Sequence, residues 1–339
     1  MNQHIGKQSI VFETPPVICS TAAVGGKKEM EGPLASYFDV LNKDTKFGQT
    51  SWEKAESTMQ QYALQTALEK ASLKEPNLDV VFAGDLLNQC IGSTFSLRGL
   101  GIPALGLYGA CSTMAVGLCL GSMTVSSGFA RTAAVITSSH FAASERQYRY
   151  PLGYGGQRTP TAQWTVTGSG CAILRQTGSG PRVTRATIGE IIDMGITDAN
   201  NMGAAMAPAA FETIRAHLQD FSIAPEEYDL IVTGDLGKVG KSIVRDLFQK
   251  EGIDLTSVYD DCGTIIYDLN QQDVHAGGSG CGCSGVVLCG YLMHQMAQKK
   301  LQKILFCGTG ALLSPTSTQQ GESIPAVCHA VSIFAEGVS

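Results

Sequence analysis

Charge is scarce in this chain. Only 16% of its 339 residues are Asp, Glu, Lys or Arg, against 44% hydrophobic, so the chain has the material for a sizeable core. The little charge there is sums to −6, which argues against nucleic acid as a partner. Long hydrophobic runs are missing too. None reaches the roughly 18 residues of a membrane-spanning helix, and the longest stretch, "SGVVLCGYLMHQMA", reads as a buried helix. The opening "MNQHIGKQSIVFETPPVI" shows no basic segment followed by an apolar one, so no secretory leader is expected and any membrane association would be peripheral. Metal-ligand spacing is also lacking. "CGC" at Cys281–Cys283 has no second Cys/His pair beside it and is too tight for a zinc knuckle, so no metal is expected.

Cysteine, by contrast, is plentiful. The eleven cysteines fall inside apolar runs such as "LCLGSM", "VVLCGYLM" and "KILFCGTG", which points to buried reduced thiols rather than a disulfide framework. The chain also repeats itself. "DVVFAGDLLNQCIGSTFSLRGLGI" from Asp79 and "DLIVTGDLGKVGKSIVRDLFQKEGI" from Asp229 both open with Asp, three apolar residues, a small residue and Gly-Asp-Leu. Each is preceded by a helical pattern. Each is followed by an apolar helix that starts near a cysteine, "CSTMAVGLCLGSM" from Cys111 and "CGCSGVVLCGYLM" from Cys281, and then by two strand signals. The shared order predicts two halves, 1–178 and 179–339, each βαβαβαββ with a mostly parallel sheet. The helices over Ser112–Val125 and Ser284–Met296 are apolar on nearly every face, so they belong between the sheets, in a five-layered α-β-α-β-α sandwich. Asp85 and Asp235, equivalent in the repeat, read as structural turn residues.

That architecture, with "GACST" around Cys111, resembles the thiolase and β-ketoacyl synthase superfamily. The resemblance runs from about Val17 to the end and puts the nucleophile position at Cys111. Free N–H groups and partial positive charge at a helix N-terminus lower a thiol pKa, so a reactive thiolate is expected there. "VHAGGSGCGCSG" resembles the family's glycine-rich approach to the second buried helix and puts its histidine at His275. "FCGTGA" resembles the Cys-Gly-x-Gly segment and puts the second cysteine at Cys307. The departures are equally specific: there is no Asn-Glu-Ala-Phe-like segment, no His-x-Ala-Asn segment and no long coenzyme A-binding insertion.

The segment "SSHFAASERQYRYPLGYGGQRTPTAQWTVTGSGCAIL", together with "QHIGKQSIVFETPPVI" and "DCGTIIYDLNQQDVHAGGSGCGCS", is similar to a family of thiolase-fold stage V sporulation proteins of spore-forming Firmicutes. The resemblance implies a non-catalytic protein, without cofactor, that binds dipicolinic acid (pyridine-2,6-dicarboxylate), alone or with Ca²⁺. It also implies a homodimer that supports ligand uptake into the developing spore alongside small membrane proteins at the inner spore membrane. A flat dianion asks for cations and aromatic faces. Arg146 and Arg149, read as part of a polar loop with Tyr148 and Tyr150, supply both, and His140 and His275 add donors. The expected ligand site is therefore Cys111, His140, Arg146, Arg149, His275 and Cys307. The competing expectations are an acyltransferase with Cys111 as nucleophile and a structural subunit that organises membrane partners.

Overall fold

The structure is a computed structural model that describes residues 3–148 and 158–338. The first half contributes β1 (Val17–Gly25), α1 (Trp52–Lys70), β2 (Val80–Gly84), α2 (Ile91–Leu97), β3 (Ala104–Leu107), α3 (Thr113–Ser126), β4 (Thr132–Ser139), α4 (Phe141–Tyr148) and β5 (Gly168–Arg175). The second contributes β6 (Arg182–Thr187), α5 (Met202–Phe221), β7 (Leu230–Thr233), α6 (Gly237–Lys250), β8 (Tyr259–Asp261), α7 (Cys281–Val286), β9 (Lys303–Ala311) and β10 (Ala326–Phe334). A short N-terminal hairpin, Gln3–Ile5 with Ser9–Val11, lies along β6.

The strands run β1-β5-β4-β2-β3 in the first half and β6-β10-β9-β7-β8 in the second, the same order twice. In each half three strands are parallel and two are joined antiparallel, so the sheets are mixed rather than mostly parallel. The last strand of each half, β5 or β10, lies antiparallel to both of its neighbours and so interrupts the parallel run. The halves also meet through β1 and β6, where Val17 pairs with Arg182, so the hydrogen bonding runs through one extended sheet.

Three large apolar clusters divide the interior, and a fourth, small one gathers Leu86, Cys111 and Cys281. Of the three, one lies between α1 and the outer face of the first half, one between α5, α6 and the outer face of the second, and the largest lies between the halves. The helices of this middle layer are the apolar ones expected there. Helix α3 touches strands of both halves, and Met114, Ala115 and Leu118 are fully buried. Helix α7 starts at Cys281, three residues earlier than the periodicity predicts, and continues through a π turn, Val287–Leu292, into Met293–Ala297. Its approach to β5 is backbone on backbone: a Cβ on Gly170 would stand 2.4 Å from the Gly285 carbonyl. Only glycine permits that contact.

Candidate functional site

Cys111 lies in a 3₁₀ turn, Ala110–Ser112, that leads into α3. Ala110 takes a left-handed φ of 51°, a conformation that costs a non-glycine residue energy. The turn presents Cys111 to a cavity of about 90 Å³ between the halves. The first half supplies Leu86, and the α4 residues Ser144, Glu145 and Tyr148 at helical spacing. The second half supplies Met202, Ser279 and Leu313. Tyr148 Oη donates to the Leu86 carbonyl at 2.9 Å, which fixes its ring along one wall. Thr165 Oγ1 donates to the Glu145 carboxylate at 3.2 Å.

The partner of the Cys111 thiol is a carboxylate, not a histidine. Asp235 lies beside the Cys111 thiol and accepts hydrogen bonds from Thr309 Oγ1 and the Gly280 N–H at 2.8 Å each, and from Ser279 Oγ at 3.2 Å. Burial pushes the Asp235 carboxyl pKa up and these donors oppose it. Burial, and then the Asp235 charge, push the Cys111 thiol well above its ordinary value. This corrects the expectation of a thiolate. The helix-end potential is overcome because the turn is desolvated and faces an anion. Cys281, the repeat equivalent of Cys111, donates to the Ser138 carbonyl at 2.9 Å and clusters with Cys111 and Leu86. Its pKa is likewise raised, first by burial and then by Asp85.

The other expected site residues lie elsewhere. Cys307 is on β9 and faces outward into the α5–α6 cluster beside Cys328, whereas its neighbour Gly308 faces α3. The two-residue period of a strand puts consecutive side chains on opposite faces, so Cys307 cannot share the Cys111 cavity. His275 has a left-handed φ of 51° and does not line the cavity. Its Nδ1 donates to the Thr159 carbonyl at 2.7 Å, and its Nε2 is 3.1 Å from the Asp273 carboxylate. His140 is buried, with Nε2 donating to the Thr45 carbonyl at 2.7 Å, and burial lowers its pKa; it lines a different cavity. Arg146 is not in a loop but on α4, where it pairs with Glu53 and covers Trp52 at 5.4 Å, with nearly half of its side chain exposed. Arg149 lies outside the described residues. Of the six expected residues, the described structure therefore puts Cys111 alone in this cavity.

The model of the Stage V sporulation protein AD family matches residues 6–334. Over 326 residues the chain is 46% identical to Stage V sporulation protein AD of Bacillus subtilis, covering 96% of both. The chain belongs to the Stage V sporulation protein AD family. Its role is accordingly in sporulation. The fold of this family member is thiolase-like. A variant of Xanthomonas campestris OleA is similar with a TM-score of 0.61 and 14% identity, over 96% of this chain and 99% of that one. The 3-oxoacyl-[acyl-carrier-protein] synthase III of Aquifex aeolicus is similar with a TM-score of 0.54 and 13% identity, over 94% and 99%. At such identities the likeness concerns the fold.

Sequence reasoning missed Asp235, Ser144 and Glu145 in this family member. Asp235 carried a signal, the repeated Gly-Asp-Leu, but the repeat alone does not separate a turn carboxylate from one that reaches across to the other half. The spacing of Ser144, Glu145 and Tyr148 is helical, and reading the segment as a loop concealed the shared face.

Proposed function

We propose that this protein binds dipicolinate in the cavity beside Cys111 and supports its uptake into the developing spore without chemically changing it. The observation that carries the reading is the cavity itself. At about 90 Å³ it is well below the ~300–1,000 Å³ of pockets for drug-sized ligands, so it suits a small flat ring better than an acyl chain. Leu86, Met202, Leu313 and the Tyr148 ring provide an apolar slot, while the Ser144 hydroxyl, buried without a partner among the described residues, provides a donor for a carboxylate oxygen.

A dianion facing Glu145 needs positive charge, because an unpaired buried charge is costly. In this reading that charge comes from Arg149, the residue after Tyr148, and from Ca²⁺ carried in by the chelating ligand, whose remaining coordination sites suit the Glu145 oxygens. Calorimetric titration with dipicolinate, with and without Ca²⁺, tests this, with benzoate as comparator. Dipicolinate is expected to bind more tightly than benzoate, and more tightly with Ca²⁺ than without. Arg149→Ala is expected to lose about 2–4 kcal/mol of binding. Equal affinity for the two acids would remove dipicolinate as the ligand.

The raised thiol pKa and the carboxylate partner of Cys111 support a non-catalytic site. Incubation with acyl thioesters is expected to give no burst of free thiol. The proposal further includes a homodimer formed along β3, an edge strand with Leu105 and Tyr108 exposed, and peripheral docking at the inner spore membrane through small membrane proteins. Among the described residues no helix is long and apolar enough to cross a membrane, so membrane-spanning partners would supply the anchor.

A further inference from the structure

A second concavity, of about 420 Å³, lies where the Lys27–Met30 turn, the start of α1 and the start of α4 meet Trp164. It shares no lining residue with the Cys111 cavity. The two tryptophans of the chain, Trp52 and Trp164, both line it. Neither ring is simply packed. Trp164 stacks on Phe141, with centroids 3.7 Å apart, and holds Lys28 Nζ at 4.3 Å and the Arg158 guanidinium at 4.8 Å. Trp52 holds the Arg146 guanidinium at 5.4 Å and Lys46 Nζ at 6.0 Å. Five cations, counting Lys27 on the lining, thus surround one pocket of a chain whose net charge is −6.

The nearby acids cancel two of them and leave three lysines. Glu53 is taken by Arg146 and Asp273 by Arg158. Glu29 is buried under the pocket, bonded by Tyr267 and the Thr167 N–H, and burial raises its pKa towards the neutral form. Glu31 is the remaining acid on the lining. Among the described residues no ion pair takes up Lys27, Lys28 or Lys46, although Lys28 Nζ donates to the Asp273 carbonyl at 3.3 Å and Lys46 stands near Asp44, and His140 in the wall is kept neutral by burial. Rings that hold cations in place over a concave surface organise charge for an anion, and ammonium point charges suit the tetrahedral oxygens of a phosphate.

We infer that this cleft is a second binding site and that it takes the phosphate group of a phosphate monoester. A monoester carries close to two negative charges at neutral pH. The volume leaves room for a small organic group beyond the phosphate, and the group reaches the site either on a soluble ester or on a lipid headgroup.

Tryptophan emission reports on this cleft directly, because both tryptophans line it. The purified chain is titrated with glycerol 3-phosphate and, separately, with phosphatidylcholine vesicles with and without phosphatidic acid. A saturable emission change with the soluble ester assigns a soluble ligand, and one with phosphatidic acid vesicles alone assigns a headgroup; both support the site. The variant Lys27→Gln/Lys28→Gln is expected to weaken binding about tenfold or more. Lys46→Gln, a change at an exposed side chain, weakens it less and covers the case in which the double variant melts early. No emission change with either probe, or unchanged affinity in variants that melt like the wild type, would overturn the inference.

Discussion

At the scale of single residues, the site is defined by which carboxylate meets which thiol. Burial first, and then the Asp235 charge, hold the Cys111 thiol protonated, so Asp235→Asn should remove the opposing charge and raise the rate of iodoacetamide labelling at Cys111 several-fold. Labelling mapped by mass spectrometry checks this, and a rate unchanged by the substitution would leave burial as the sole cause. A second residue ties stability to pH. His217 is buried in a hydrogen-bonded chain, with Thr187 Oγ1 2.7 Å from its Nδ1 and Tyr228 Oη 2.6 Å from its Nε2. Burial, aided by Arg185, lowers its pKa from 6.5 to about 3. The unfolded chain therefore takes up the proton first. The contribution to stability is complete above pH ~6.5 and is lost as pH falls towards 3, by a few kcal/mol over the window. Denaturant titrations between pH 7 and 4 should show that slope, and His217→Gln should flatten it.

Among the elements, α4 and the middle-layer helices decide the geometry. Helix α4 turns Ser144, Glu145 and Tyr148 towards the ligand cavity and Arg146 towards Glu53 and Trp52. Arg146→Ala should consequently cost at most about 1 kcal/mol of stability, as exposed ion pairs do, and leave dipicolinate affinity unchanged. A large loss of that affinity would return Arg146 to the site. The contact between α7 and β5 is stricter. Gly170→Ala puts a Cβ against the Gly285 backbone, where no side chain can rotate aside, and should cost about 1–3 kcal/mol by thermal or urea unfolding.

For the whole molecule, the duplicated strand order brings the ends of both halves to one place, so the Cys111 cavity has walls from each. The same topology leaves β3 as an outer edge, with Leu105 and Tyr108 each 55% exposed. If two copies pair along it, light scattering should give a dimer mass, and Leu105→Lys should shift it to a monomer. A monomeric wild type would exclude that interface.

Much of this was legible in one dimension. The duplicated pattern, the two helices apolar on every face and the Gly-Asp-Leu repeat determined the thiolase-like architecture and the position of Cys111, because periodicity and burial are local properties of a chain. What the tertiary structure decided was which side chains meet. Strand alternation turns Cys307 away from Cys111, local hydrogen bonds and an ion contact occupy His275, and Glu53 occupies Arg146. Asp235, 124 positions further along the chain, reaches the thiol. Spacing along a sequence carries no information about contacts made across two halves, and the sign of the Cys111 pKa shift depends on one such contact and on the desolvation that accompanies it.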